Sequence, residues 1–169
     1  STCTYCQSAL FKKNVRYFSV EYVIKHLKFL IENYGIKEIA FFDDIFTIKR
    51  SRIIEICDRM IEERLNLTWI CFIKANRIIT KEILRKMKVA GCWLVMPGVE
   101  SGSPDVLRKI GKADIKLDTV RRVCQDAYNV GIQTRPSFML GNPGDTRETM
   151  KETMDFALSL PLLHVGVSY

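Results

Sequence analysis

The chain has 169 residues, 47% hydrophobic and 27% charged, with 26 Lys and Arg against 19 Asp and Glu for a net charge of +7. This length predicts one domain with a real core, and the balance excludes a disordered or fibrous protein. No apolar run is long enough to span a bilayer, and the opening stretch STCTYCQSAL lacks the charged and apolar regions of a signal peptide, so neither a membrane span nor a secretory route is expected.

The first chemistry-bearing feature is Cys3-Thr4-Tyr5-Cys6. A lone CxxC is either half of a zinc site or a dithiol pair. A zinc site needs two more Cys or His ligands, and the only histidines are His26 and His164. A dithiol motif should open a helix, whereas the next helical pattern starts well downstream. Both ordinary readings fit badly.

That helix covers SVEYVIKHLKFLIENYG, with Ser19 as N-cap, Val23, Leu27, Leu30 and Ile31 as its apolar stripe, and Gly35 as its stop. A short strand in IKEIAFFDD follows, apolar without alternation, as in a strand buried on both faces. The cadence repeats with a helix over KRSRIIEICDRMIEERL, a strand over LTWICFIKA, a helix over TKEILRKMKVAG and a strand over CWLVMPGV. A helical region ending near Val130, a strand within GIQTRPSFML, a helix over TRETMKETMDFALSL and a last apolar run, LLHVGVSY, complete it. Strict alternation with short connections predicts a parallel α/β sheet, open or curled toward a barrel. Pro97 predicts a bulge or local edge in its strand.

Cys57, Cys71, Cys92 and Cys124 stand alone in apolar stretches and are expected to be reduced core residues, which suits a cytoplasmic protein. The basic clusters KHLKFL, IKRSR, LRKMK and VRRV fall on solvated helix faces without interleaved aromatics. This argues against nucleic-acid binding.

In parallel α/β folds, ligands bind beyond the carboxyl ends of the strands. The residues placed there are Asp43 and Asp44, Glu100-Ser101-Gly102-Ser103, and Gly141-Asn142-Pro143-Gly144-Asp145-Thr146. Glu100 offers a carboxylate suited to accepting from two hydroxyls. Ser103, followed by Pro104, suits a helix cap, and Asp145 with Glu148 has capping-box-like spacing. Arg135 lies on a strand, where its inward or outward direction decides its role.

STCTYC resembles the tail of CxxxCxxC, the cluster motif of radical S-adenosylmethionine enzymes, with the aromatic Tyr5 before the last cysteine. FFDDIFT, GVESGS and FMLGNPGDT resemble that family's segments after strands two, four and five, most like the subgroup associated with cobalamin-binding domains, which includes the anaerobic magnesium-protoporphyrin monomethyl ester cyclase. The resemblance covers essentially the whole chain. It implies a partial (β/α)6 TIM-like barrel over residues 1–169, entered after the first strand and the first cluster cysteine. It further implies Cys3 and Cys6 as ligands of a 4Fe-4S cluster whose open iron binds S-adenosylmethionine, with Tyr5 beside them. Asp43 or Asp44 would face the methionyl amine, Glu100 and then Ser101 the ribose, Arg135 the methionyl carboxylate, and Gly141 either the adenine or only its own turn. The reaction implied is reductive cleavage to a 5'-deoxyadenosyl radical, followed by hydrogen abstraction or by cobalamin-linked methyl transfer. Its partners are a small-molecule substrate, an electron donor and an upstream cobalamin-binding domain. Lys74 stands where relatives often carry Arg. The competing readings are a non-catalytic, zinc-binding or structural barrel, and an RNA-modifying methylthiotransferase-like enzyme.

Overall fold

Ser19 and Gly35 frame the first helix. In the computed structural model, which describes residues 15–161 and 166–168, the Ser19 hydroxyl accepts from the Tyr22 N–H at 3.1 Å and opens α1 (Val20–Tyr34). Gly35 closes it at φ 62° by donating to the Ile31 carbonyl, a left-handed stop that glycine adopts without steric cost. Val20, Ile24 and Leu27 are buried, with Val23, Leu30 and Ile31 half-buried beside them. The stripe is therefore centred on Ile24, slightly rotated from the predicted set.

Strand and helix then alternate through β1 (Glu38–Phe41), α2 (Arg50–Glu62), β2 (Thr68–Ile73), α3 (Lys81–Val89) and β3 (Cys92–Glu100). The predicted helical region ending near Val130 is two helices, α4 (Pro104–Lys109) and α5 (Leu117–Asn129). The predicted strand after it is also two pieces, β4 (Gln133–Thr134) and β5 (Ser137–Met139). α6 (Arg147–Leu158) and β6 (Gly166–Ser168) follow. Every strand pairing is parallel, in the order β1-β2-β3-β5-β6 with β4 also on β3. This is the parallel α/β sheet that the cadence predicts, in the half-barrel form that the resemblance implies. Cys3, Tyr5, Cys6 and His164 lie outside the described residues.

The helices cover one face of the sheet. Trp69, Cys71, Ile73, Val95 and Val99 alternate into a core shared with Ile53, Ile56, Leu84, Val120 and Val123. The intervening Ile70, Phe72, Leu94 and Met96 line the opposite, concave face. This geometry corrects the reading of the first strand. Glu38 and Ala40 are exposed and only Ile39 and Phe41 are half-buried, because β1 is the edge of the described sheet and meets helices on one side only.

Pro97 marks a change of partner. On one side β3 pairs with β4 up to Val95 opposite Thr134, then with β5 from Gly98 opposite Ser137. Pro97 and Pro136 flank that break, and neither has an N–H to give to a ladder. One predicted strand thereby becomes two.

The four central cysteines are free and buried, as expected. Desolvation pushes Cys57 up to about 12 and Cys124 up to about 11, and raises Cys71 as well. At neutral pH Cys57, Cys71 and Cys124 are protonated core thiols rather than thiolate ligands.

Candidate functional site

The carboxyl ends of β1, β2, β3 and β5 open on one rim. Beyond β1, the exposed Asp43 and Asp44 lead into a turn pinned to β2, where the Phe46 N–H donates to the Phe72 carbonyl at 3.0 Å. Phe46 packs on Phe41 and Trp69, so the acidic pair sits on a turn with a buried aromatic root. Asp43 also lines a cleft of about 310 Å³ on the helix-covered side of β1, with Val23 of α1 and Arg52 and Ile56 of α2. Thr47, at the end of the same turn, is fully buried, and its hydroxyl has no partner among the described residues.

Glu100 ends β3 at φ 75°, in the left-handed region that side chain-bearing residues seldom occupy. Such a conformation costs of order 1–3 kcal/mol and persists where the surroundings over-determine it. The surroundings here are specific. The Lys112 ammonium donates to Glu100 Oε1 at 2.7 Å, with the two side chains 12% and 14% exposed. Both lie over Gly98: a Cβ there would stand 3.1 Å from Glu100 Oε1, 3.6 Å from Lys112 Nζ and 3.9 Å from Ser137 Oγ. The glycine thus leaves room for a carboxylate, an ammonium and a hydroxyl to gather at the rim.

The other side of the turn is fastened to α6. Ser101 is fully buried, and its hydroxyl lies 3.1 Å from the Thr153 hydroxyl and accepts from the Ser103 N–H at 3.0 Å. Thr153 Oγ1 also accepts from the Gly102 N–H at 3.0 Å while donating to the Thr149 carbonyl at 3.0 Å. Ser101 is therefore committed to the protein interior, whereas Glu100 faces the rim. Ser103 occupies the N-cap position of α4 with Pro104 following it, but its hydroxyl makes no cap bond. Ser101 serves its N–H instead.

Arg135 stands on the concave side, between the buried Thr134 and Pro136, and its guanidinium rests on the Met96 sulfur at 3.0 Å. Its side chain lies on the same face of the sheet as Met96. In the strand register Ser137 stands beside Gly98 and Arg135 rests on Met96, after which the register shifts and Glu100 pairs with Phe138. Gly141, exposed at φ 80° with open space around its Cβ position, is required by the turn after β5. The predicted capping box shifts by one residue: Thr146 and Thr149 form it, while Asp145 accepts from the Asn142 N–H and the Thr149 hydroxyl, both at 2.8 Å. The helix begins at Arg147, so Thr146 rather than Asp145 stands at the N-cap and Thr149 at the third helical position, each accepting from the other's backbone N–H.

The structure thus brings Glu100, Arg135 and the unforeseen Ser137 and Lys112 to one part of the rim. Asp43 and Asp44 lie across β2 from them. Lys112 escaped notice because its segment reads as continuing helix; Gly111, at φ 76°, was the available stop signal. Lys74, at the end of β2, pairs with Asp114 in the same turn as Lys112. For Asp114, burial acts to raise the carboxyl, but the Lys74 hydrogen bond and charge outweigh it and hold the group below its ordinary value. Among the described residues no group of three or more His, Cys, Asp or Glu is placed to hold a metal ion.

Comparison with known proteins adds the following. Residues 1–157 match the family model described as the Radical SAM superfamily. An uncharacterized methyltransferase of Pyrococcus horikoshii is 38% identical over 161 residues, covering 95% of this chain and 35% of its own length. The anaerobic magnesium-protoporphyrin IX monomethyl ester cyclase of Rubrivivax gelatinosus is 26% identical over 157 residues, covering 92% of this chain and 28% of its own. The radical S-adenosylmethionine methyltransferase TsrM of Kitasatospora setae, solved with cobalamin and a 4Fe-4S cluster bound, superposes with a TM-score of 0.80 at 20% identity. That match covers 89% of this chain and 30% of TsrM, and it shows a common fold. The chain spans about a third of the length of these relatives.

Proposed function

Because the chain belongs to the radical SAM superfamily, we propose that residues 1–169 form one catalytic core domain that binds S-adenosylmethionine along the concave rim. The family uses a 4Fe-4S cluster and S-adenosylmethionine, and it is a family of enzymes. When bound, the cluster supplies the electron for reductive cleavage of a carbon-sulfur bond, chemistry that belongs to the cofactor rather than the side chains.

The residues present fit such a ligand. Glu100 accepts from ribose hydroxyls, a task suited to a charge-assisted acceptor, and Gly98 keeps the space over β3 clear for it. Arg135, on the same face of the sheet as Met96, is placed for an anionic group such as the methionyl carboxylate. Asp43 or Asp44, both exposed beyond the end of β1, is the acceptor for a cationic amine. Ser101 supports this set from behind by fastening the turn to α6, and Gly141 turns the chain at the adenine side. Cys3 and Cys6 supply thiolates to the cluster, with Tyr5 between them. The observation that carries the reading is Glu100: a left-handed, partly buried carboxylate held at the rim of a parallel half-barrel.

The reaction is cobalamin-linked methyl transfer to a small-molecule substrate, with electrons from an external donor and cobalamin on an upstream domain. The Pyrococcus relative, named a methyltransferase, supports this over hydrogen abstraction alone. The test is anaerobic assay of 5'-deoxyadenosine and of methyl transfer by the full-length protein, reconstituted with iron and sulfide and supplied with a strong reductant, beside its Cys3→Ala variant. Turnover of S-adenosylmethionine that vanishes in the variant is expected. Stoichiometric zinc with no iron chromophore would sink the proposal in favour of a structural thiol site.

A further inference from the structure

A surface helix of a globular protein turns one apolar face to the core and a polar face to water. α1 keeps the first half of that rule, with Val20, Ile24 and Leu27 buried, and breaks the second. On the opposite side Phe18, just before the cap, is followed by Tyr22, His26 and Phe29 at spacings of four, four and three, which puts their rings along one face. Successive centroids lie 4.7, 6.2 and 6.4 Å apart with the rings stacked, and Tyr34 closes the row edge-on to Phe29 at 6.0 Å. Phe18, Tyr22, Phe29 and Tyr34 are 67, 51, 49 and 69% exposed. Pairing within one helix contributes little and leaves these rings wet. A contiguous apolar patch marks an interaction surface, and Phe and Tyr are enriched at such surfaces.

Two properties choose the occupant. The row is self-complementary along the helix: reversal about His26 exchanges Phe18 with Tyr34, eight positions off on either side, and Tyr22 with Phe29, four and three positions off. Two α1 helices packed antiparallel about a two-fold axis at His26 therefore set aromatic against aromatic, the isologous contact of a symmetric dimer. The charges beside the row also balance. The chain carries +7, but the flank of the row holds two acids, Glu21 and Glu32, and two bases, Lys25 and Lys28. Two copies meet there without the like-charge excess of the whole molecule. Aromatic side chains bury about 150–250 Å² each, so at these exposures the four leave roughly 450 Å² per copy to cover. The pair with its flanks then reaches about 1,000 Å², the lower end of specific interfaces.

We propose that the aromatic face of α1 is a dimerisation surface, on which a second copy of this protein lays its own α1 antiparallel. The proposal is independent of how the rim binds its cofactor.

Sedimentation equilibrium of the full-length, cluster-loaded protein tests it. The average mass is expected to climb from one protomer toward two across the micromolar range, as suits an interface of this size. Phe29→Glu and Tyr22→Glu should each weaken association about tenfold or more and leave the melting temperature unchanged, since both side chains are about half exposed. Val89→Glu, on an exposed apolar residue of α3 away from the row, should leave association intact. Phe18→Lys and Tyr34→Glu read the direction of packing. Each alone weakens association, and the two together in one chain restore it, because the antiparallel pair brings Phe18 of one copy to Tyr34 of the other. A double variant no better than the single ones overturns the antiparallel arrangement. A dimer indifferent to both Phe29→Glu and Tyr22→Glu, or a protein monomeric at every concentration, overturns the proposal. A monomer whose melting temperature falls on Phe29→Glu assigns the face instead to polypeptide outside residues 1–169.

Discussion

Gly98 matters for what it leaves out. Its φ lies outside the left-handed range, so alanine is conformationally permitted there; the consequence is local, a Cβ at 3.1 Å from Glu100 Oε1. That contact is tighter than carbon and oxygen comfortably keep, and the carboxylate has to move by a few tenths of an ångström. Gly98→Ala is therefore expected to leave thermal unfolding nearly unchanged while weakening binding of S-adenosylhomocysteine about three- to tenfold, since oriented charge-assisted contacts lose strength with small displacements. Unchanged affinity would mean that Glu100 does not read the ligand from this position. The position of Glu100 at the carboxyl end of β3 was legible in the sequence from its place after an apolar strand. Its left-handed backbone was not, because nothing in Val99-Glu100-Ser101 demands φ 75°; it coincides with the register shift between β3 and β5, which only the assembled sheet shows.

At the scale of elements, the end of β3 and the flank of α6 meet with no spare space. A Cβ on Gly102 would fall 2.7 Å from Thr153 Cα, 2.8 Å from the Glu152 carbonyl oxygen and 2.8 Å from Phe156 Cβ. Two of these atoms are backbone and the third is fixed to it, so α6 itself has to retreat. Gly102→Ala is expected to destabilise by about 1–3 kcal/mol, as overpacking does, read as a lower denaturant midpoint. A midpoint equal to that of the unsubstituted protein would show that α6 slides freely on β3. The helices and strands were legible because each carries its own period and several carry their own caps, as Ser19 and Gly35 do for α1. Divisions within them were harder to read. The break between β4 and β5 depends on Pro97 and Pro136 meeting across neighbouring strands, and the one-sided burial of β1 depends on its place at the edge of the described sheet.

Across the whole molecule, the helices enclose one face of the sheet and leave the other concave, and this division sorts the cysteines. Cys57 on α2, Cys71 on β2 and Cys92 on β3 are buried on the helix-covered side, with Cys124 buried on α5, away from the rim where the cofactor is proposed to bind. Desolvation, then the neighbouring Cys92 and Asp58, raise Cys57 from 9.0 to about 12, while Lys86 acts weakly the other way. A thiol raised in the folded state holds its proton where the unfolded chain has lost it, so its contribution to stability is fully present below pH 9. As pH climbs from about 9 toward 12 the unfolded state gives up protons that the folded state retains, and stability falls. Lysines and tyrosines titrate in the same window, so the informative quantity is a difference of slopes. Denaturant midpoints measured against pH should fall more steeply for the unsubstituted protein than for Cys57→Ala, whose baseline is lower from the cavity it leaves but which has no such thiol to ionise. Parallel slopes would mean that Cys57 meets solvent in the folded state. It would then be available to compete for iron with Cys3 and Cys6, and the separation of core thiols from proposed cluster ligands would no longer hold.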